Sequence, residues 1–352
     1  MTDIAILTNF TGYDEAYALN QCVRNIIKML TRNGYKPRLI MRGDVDVFAL
    51  KTQVYVGAEI VTINPSKDIY PQLKPLLENV DFVFTHDLLM QRDLEAYEIA
   101  ARQVANELPH IRWLHTVHSF ATMRKVYSQF PNSLLWAYSQ AERLEKKYHL
   151  ESVTIPAPID FLEFMHPITQ EIASPLMLAD IVLCYPCRLD RGKRPEMVID
   201  IGIELVKRRI DAKVILINSY TNKGDKQVFR EELRERARDK VDLILTSDYE
   251  GLEVRTPRQI VMELMQLSDV LVQPSVSETY SRVTCEAAWN DCLLVLNDRI
   301  PAFQDYDALY LSDNNLIDNI TSKVKNSNHR LMRQERSLEA IWPQLEGVIN
   351  GP

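Results

Sequence analysis

The stretch that most constrains the fold runs from Val270 to Asp298, VLVQPSVSETYSRVTCEAAWNDCLLVLND. Its apolar run Val270–Val272 predicts a buried strand, and Leu293–Leu296 predicts a second one. Between them, the loop Pro274–Ser281 leads into a helix that carries Glu286. Strand, loop, helix and buried strand form the repeating unit of a parallel α/β sheet, so this stretch favours that class of fold.

In parallel α/β sheets, ligands collect where strand ends meet helix N-termini, so the loop before this helix is the first candidate site. Two carboxylates frame it, Glu278 in the loop and Glu286 in the helix. If the helix begins near Tyr280, Glu286 faces back along the side of Glu278. The free N–H groups of Thr279, Tyr280 and Ser281 would then favour an anion between the carboxylates. This pattern of hydroxyl, anion and hydroxyl sites outlines a sugar nucleotide.

The segment Ser277–Ala287, SETYSRVTCEA, resembles the motif of two glutamates separated by seven residues in the retaining family-4 glycosyltransferases. The preceding SDVLVQPS and the following residues up to Asp298 are similar to the strands that flank this motif. The resemblance implies the GT-B fold, an α/β architecture of two Rossmann-like domains whose parallel sheets face an interdomain cleft. It also implies that Glu278 holds hydroxyls of the donor sugar and that Glu286 holds the ribose of the nucleotide.

A second motif is the basic loop Cys187–Arg194, in which Arg188 and Lys193 resemble the family's pair of cations that clamp the donor diphosphate. A departing nucleoside diphosphate gains negative charge as the glycosidic bond breaks, and fixed cations stabilise that charge most in the transition state. In this interpretation the two cations replace a metal ion. We therefore expect no metal and no cofactor, with a nucleotide-diphosphate sugar as the donor substrate. A merely solvated basic loop is the alternative.

Several further residues are weaker candidates. His118 ends a predicted strand in the segment TVHS, which is similar to a family segment whose histidine approaches the donor sugar; His86 ends another strand. Gly12 lies in the first loop, where it either faces the cleft or only permits a turn. Tyr249 lies where the family binds the nucleobase, for which UDP, GDP and ADP are the forms to test. The predicted catalytic residues are Arg188, Lys193, Glu278 and His118, and the predicted donor-binding residues are Glu286, Thr279, Tyr280, Ser281, Gly12 and Tyr249.

The domain boundaries follow from the resemblance to the family-4 glycosyltransferases. Residues 1–165 are expected to form the acceptor domain, with a C-terminal helix at 336–352 packing back on it, and residues 166–335 the donor domain. The stretch His166–Asp180 lacks a clear period and is predicted to be a loose interdomain linker. A strand is predicted from Val54 to Thr62.

Composition limits the function classes. A length of 352 residues suits two domains, and 46% hydrophobic with 25% charged residues is typical of a soluble globular protein. The formal net charge of -7 gives no support to a strongly basic nucleic-acid binder. No apolar run reaches the roughly 18 residues of a membrane span, so we expect no stable membrane span and a cytoplasmic location. Five cysteines predict reduced thiols.

Two short motifs that suggest metal binding are set aside. Cys184 and Cys187 would point to opposite faces of a strand, and no second cysteine pair lies near them. The Asp-x-Asp sequence at Asp44 and Asp46 lacks a supporting context and is interpreted as a surface turn.

The acceptor stays open between a small molecule, a glycan, a lipid and modified DNA. A virus-type enzyme that glucosylates hydroxymethylated DNA bases would need a basic groove on the first domain, for which Arg112, Arg124 and Lys125 are candidates. A non-catalytic protein that binds sugar nucleotides is the other alternative. It is suggested by Thr279, Ser281 and Asn290, which depart from the usual family residues.

Overall fold

The computed structural model describes residues 3–8, 13, 18–43, 46–86, 95–116, 127–138, 141–218, 226–276, 281–299, 307–325 and 327–351. The chain forms two compact units, Met1–Asp160 with Leu338–Pro352 and Phe161–Ser337. Each unit contains one sheet in which every strand pairing is parallel. The predicted fold class, α/β with two Rossmann-like domains built on parallel sheets, is confirmed. None of the helices in the described part of the chain combines the length and apolarity needed to cross a bilayer.

The first unit has a seven-stranded sheet in the order β3-β2-β1-β4-β5-β6-β7. Its strands are β1 (Ile4–Thr8), β2 (Arg38–Arg42), β3 (Glu59–Ile63), β4 (Phe82–His86), β5 (Arg112–Thr116), β6 (Ser133–Ala137) and β7 (Ser152–Thr154). Its helices are α1 (Ala18–Arg32), α2 (Val47–Ala49), α3 (Tyr70–Leu77), α4 (Glu95–Glu107), α5 (Ala141–Tyr148) and, from the end of the chain, α13 (Leu338–Asn350).

Alternation along β1 places successive side chains in two separate cores of this unit. Ala5 and Leu7 lie in one core, and Ile4 and Ile6 lie in the other. The second core is completed by apolar stripes of α1 and α13 at helical spacing. Its helical members include Val23, Ile26, Ile27 and Leu30 of α1 with Ile341, Leu345 and Ile349 of α13.

The second unit has a six-stranded sheet in the order β10-β9-β8-β11-β12-β13. Its strands are β8 (Ile181–Cys187), β9 (Ala212–Asn218), β10 (Asp242–Leu245), β11 (Val270–Gln273), β12 (Leu293–Leu296) and β13 (Ala308–Tyr310). Its helices are α6 (Pro167–Ala173), α7 (Glu196–Lys207), α8 (Lys226–Ala237), α9 (Arg258–Gln266), α10 (Arg282–Trp289), α11 (Leu316–Lys325) and α12 (Asn328–Arg336).

The strand order reverses between β8 and β11. The chain builds the sheet outward from β8 through β9 to β10, and then returns to the other side of β8 with β11. In open α/β sheets of this kind, ligands bind beyond the carboxyl ends of the strands at the point of reversal. The loops that follow β8 and β11 are therefore the candidate ligand-binding loops of this unit.

The predicted loose linker His166–Asp180 is wrong. Pro167 occupies the first position of α6, and His166 Nδ1 accepts a hydrogen bond from the Ile168 N–H at 3.2 Å. Ile172 and Leu176, from α6 and the 3₁₀ turn after it, are buried in the core of the second unit. Polar residues separate the few buried apolar residues of this stretch. The sequence therefore showed no clear helical period and resembled a linker.

The predicted strand Val54–Thr62 is also wrong in its first half. Leu50–Val54 forms a π-helical turn that continues α2, and β3 begins only at Glu59. Gly57 has a φ of 89°, a left-handed turn that glycine permits and that separates the two elements. Asp46, of the set-aside Asp-x-Asp motif, accepts a hydrogen bond from the Ala49 N–H at 2.9 Å and caps α2.

Arg112, predicted for a basic groove, binds the end of α13. Its guanidinium donates to the carbonyl oxygens of Val348 at 2.9 Å, Ile349 at 3.2 Å and Gly351 at 2.5 Å. These carbonyls lie at or just beyond the end of α13, where unpaired C=O groups favour a cation. The other two cations of the predicted groove, at positions 124 and 125, lie outside the described residues.

We expect Arg112→Gln to destabilise the first unit and to loosen α13. Loss of the charged donor should lower the free energy of unfolding by about 2 kcal/mol, measured by urea denaturation. Amide exchange in residues 338–350 should accelerate. Arg38→Gln removes a guanidinium from the carbonyl of Leu76 in α3 and should leave exchange in α13 unchanged. Unchanged exchange in Arg112→Gln would contradict the capping role.

His115 makes the stability of this unit dependent on pH. The ring is buried, its Nδ1 lies 2.8 Å from Thr85 Oγ1, and burial lowers the pKa of His115 to about 3. In the unfolded chain a histidine has a pKa near 6.5. Between these values the unfolded chain binds a proton that the folded chain does not, so stability is fully present above pH 6.5 and is lost as the pH falls.

We therefore expect His115 to contribute a loss of about 1.4 kcal/mol per pH unit as the pH falls below 6. Urea denaturation between pH 6.5 and 5 should show a slope smaller by about one proton in His115→Phe than in the wild type. Substitution of the exposed His110 with Gln is the control. An unchanged slope in His115→Phe would contradict this account.

Candidate functional site

Two predicted motifs follow neighbouring strands of the second sheet. The basic loop begins directly after β8, and the loop that leads to α10 begins directly after β11. β8 and β11 pair in parallel, with Leu183 opposite Val270 and Cys184 opposite Leu271. Both loops therefore leave the same edge of the sheet at the point where the strand order reverses.

The basic loop is folded around Asp190. Its side chain accepts a hydrogen bond from the Lys193 N–H at 3.2 Å and caps a 3₁₀ turn at Arg191–Lys193. Arg188 Nε lies 3.6 Å from Asp190 Oδ2, and the Arg188 side chain is about half exposed. Leu189, between Arg188 and Asp190, is buried in the core of the second unit and holds the loop against it. The two predicted diphosphate ligands, Arg188 and Lys193, thus lie on one short loop.

Arg191, between the two predicted ligands, has a different environment. Its Nη2 lies 2.8 Å from both carboxylate oxygens of Glu232 in α8, and its guanidinium lies 5.0 Å from the ring centre of Phe229. These contacts commit Arg191 to packing against α8. It is therefore a natural comparison residue for Arg188 and Lys193.

The helix after β11 begins at Arg282, two residues later than predicted. Ser281 is its N-cap, and the Ser281 Oγ accepts from the Thr284 N–H at 3.2 Å. The Cys285 N–H bonds the Ser281 carbonyl at 3.3 Å. Within the described part of the chain, the N–H groups of Arg282 and Val283 in this first turn have no acceptor. The preference of serine for the N-cap position was the signal that places the helix start.

Glu286 is mostly buried and lies between two arginines. Its Oε1 is 2.6 Å from Arg258 Nη1 and 2.8 Å from Arg282 Nε. Arg282 is four residues earlier in α10, a spacing at which opposite charges meet on a helix. Arg258 is the first residue of α9, and no residue near it in the sequence predicts its contact with Glu286. Neither arginine was predicted from the sequence, although the four-residue spacing of Arg282 and Glu286 indicates one of the two contacts.

Tyr249 follows β10, the edge strand that is separated from β8 by β9 alone. It is half-buried and lines a depression of about 630 Å³ together with Ile168, Glu171, Leu243 and Asp248. Burial raises the pKa of Tyr249, and the nearby carboxylates of Glu171 and Asp248 raise it further. The side chain therefore presents a neutral phenol ring beside this depression.

The remaining predicted site residues lie outside the described residues, and their roles stay predictions: Gly12, His118, Glu278, Thr279 and Tyr280. His86 is fully buried at the end of β4, in register with Thr8 of β1 and Thr116 of β5.

The two cysteines of β8 are buried thiols. Burial raises the pKa of Cys187 far above its usual range, and Cys184 is buried in the same strand. Within the described ranges, no three His, Cys, Asp or Glu side chains come together as metal ligands.

No protein-family model matches this chain, and no curated protein matches it. Solved structures with similarity along the chain include a glycosyltransferase from Rickettsia africae, at 13% identity and a TM-score of 0.39, covering 99% of this chain and 98% of that one. An alpha-glucosyltransferase in complex with UDP matches at 10% identity and 0.40, covering 99% and 100%. A sucrose-phosphate synthase from Thermosynechococcus elongatus matches at 16% and 0.39, covering 99% and 98%. Because the identities and TM-scores are low, the function of this chain is inferred from its own residues.

Substitution of the α10 cap tests the local structure of the site. We expect Ser281→Ala to lower the free energy of unfolding by about 1 kcal/mol, because the Thr284 N–H loses its acceptor. Ser281→Gly should cost only a few tenths of a kcal/mol, since glycine is tolerated at this position. Urea denaturation of both variants checks this, and an unaffected Ser281→Ala would contradict the capping role.

Proposed function

We propose that the protein is a glycosyltransferase that takes a sugar from a nucleotide-diphosphate donor bound to its second unit. The observation that supports this most is the adjacency of β8 and β11. It places the cationic loop with Arg188 and Lys193 and the start of α10 on one edge of the sheet. A site with cations on one side and the N-terminus of a helix on the other suits a diphosphate.

Each group has a distinct proposed role. Arg188 and Lys193 bind the diphosphate, assisted by the N–H groups at the start of α10. Glu286 accepts a hydrogen bond from the ribose. Glu278 holds hydroxyls of the sugar, by resemblance to the family-4 enzymes, and Tyr249 lies beside the base.

The proposed reaction retains the configuration of the sugar and needs no metal ion. The bond between the sugar C1 and the diphosphate oxygen breaks, and the diphosphate leaves with the electron pair. The acceptor hydroxyl forms the new bond on the face from which the diphosphate departs and gives up its proton to a leaving phosphate oxygen. Arg188 and Lys193 stabilise the charge that develops on the leaving group. No protein nucleophile takes part.

The first unit, including α13, is proposed to bind the acceptor. His118 and Gly12 belong to this unit, and their roles in catalysis and in donor binding stay predictions. The acceptor supplies a hydroxyl group and is a small molecule, a glycan, a lipid or modified DNA. Arg112, one of the three cations predicted for a DNA-binding groove, binds the end of α13, and the other two lie outside the described residues.

Alanine substitutions test this proposal. Arg188→Ala, Lys193→Ala and Glu286→Ala should each slow nucleotide release from the accepted UDP-, GDP- or ADP-sugar by about tenfold to a hundredfold, because each removes a charge-assisted contact. Arg191→Ala is the matched control, since its side chain contacts Glu232 and Phe229, and its rate should stay near that of the wild type. Unchanged release in any two of the three variants would contradict the assignment.

A further inference from the structure

Glu286 is held from one side only. The contacts with Arg258 and Arg282 both end on Oε1, at 2.6 and 2.8 Å. The other oxygen, Oε2, accepts no hydrogen bond from any residue in the described ranges. The Glu286 side chain is only 12% exposed, whereas the side chains of Arg258 and Arg282 are 57% and 71% exposed. One oxygen of a mostly buried carboxylate thus contacts two arginines, and the other has no donor among the residues that the structure describes.

Such an arrangement fixes the direction of the second oxygen. Guanidinium groups are planar and present their donors in a rigid geometry. A carboxylate that contacts two of them through one oxygen cannot rotate without losing both contacts. A carboxylate oxygen carries lone pairs that accept hydrogen bonds, so Oε2, which has no donor among the described residues, is suited to a hydroxyl that arrives with a ligand.

We infer that Arg258 and Arg282 are positioning residues of the donor site. They hold Glu286 Oε1 so that Oε2 accepts a hydrogen bond from a ribose hydroxyl. This inference rests on the proposed function, because it assumes that the ligand of Glu286 is a nucleotide. It adds that selection for a ribonucleotide over a deoxyribonucleotide depends on two arginines that do not themselves contact the ribose.

The two arginines reach Glu286 from different elements. Arg282 belongs to the first turn of α10 itself, and Arg258 comes from the start of α9. Contact from two helices orients the carboxylate relative to both, which a single partner within α10 could not do. Loss of either arginine should therefore release Glu286 to adopt other rotamers.

Binding of deoxynucleotides tests this inference. Isothermal titration calorimetry of the wild type gives the Kd of whichever of UDP, GDP and ADP binds, and of its 2′-deoxy and 3′-deoxy forms. We expect the ribonucleotide to bind about tenfold or more tightly than at least one deoxy form, because that form lacks a hydrogen bond to a charged group. In Arg258→Gln and Arg282→Gln this ratio should fall severalfold towards one, and Glu286→Ala should abolish it.

Two controls separate positioning from general damage. Arg236→Gln removes a surface arginine whose Nε and Nη2 each lie 2.6 Å from an oxygen of Asp200 in the same unit, and it should leave the ratio unchanged. Arg258→Lys keeps a cation near Oε1 and should restore part of the ratio.

The outcomes distinguish the inference from the function on which it rests. If the wild type discriminates and both glutamine variants keep the full ratio, the positioning role is overturned while nucleotide binding stands. If the wild type binds a nucleotide without any preference for ribose, the hydroxyl contact of Glu286 is overturned. If the wild type binds none of the three nucleotides, the proposed function fails, and the inference fails with it.

Discussion

The pairing of β8 with β11 is the contact on which the candidate site depends, and Asp269 secures it at the opposite end of the strands. The Asp269 carboxylate accepts a hydrogen bond from the Val182 N–H at 2.7 Å, and its backbone N–H donates to the Val182 carbonyl at 2.9 Å. Its carbonyl accepts from the Leu293 N–H at 2.9 Å. One residue thus ties the beginnings of β8, β11 and β12 together. Loss of these bonds would free the strands whose far ends carry the site.

Arg333 balances the charge of Asp269. Its Nη2 lies 2.8 Å from Asp269 Oδ2, and its guanidinium donates to the carbonyls of Leu267 and Ala179. Both side chains are almost fully buried, so removal of either partner would leave an uncompensated charge in the protein interior. Arg330 adds a contact from the same helix, α12, to Asp180 before β8. The amino edge of the second sheet is therefore held by the buried Asp269–Arg333 pair and by the partly exposed Asp180–Arg330 pair, at the opposite end of the strands from the candidate site.

Sequence patterns predicted the parts of this protein that local periodicity determines. The apolar runs of β8, β11 and β12 predicted a parallel sheet, and the motifs predicted the loop with Arg188 and Lys193 and the helix with Glu286, both of which begin at one edge of the sheet. Sequence patterns did not predict the elements whose stability depends on residues that are distant in the sequence. Residues His166–Asp180 resembled a linker because their few apolar side chains, such as Ile172, are buried only by the rest of the second unit. Arg258 could not be predicted, because its partner Glu286 lies in another helix and the contact exists only in the folded chain.

The central claim is that the carboxyl edge of the second sheet binds a nucleoside diphosphate through protein cations alone. The most direct measurement is the thermal unfolding of the purified protein with UDP, GDP, ADP and their sugar conjugates, with and without EDTA. A ligand at about a hundred times its Kd should stabilise the folded state by about 2.7 kcal/mol. We expect one nucleotide series to raise the unfolding temperature by the same amount in both conditions. The absence of a shift with every nucleotide, or a shift that EDTA abolishes, would contradict the claim.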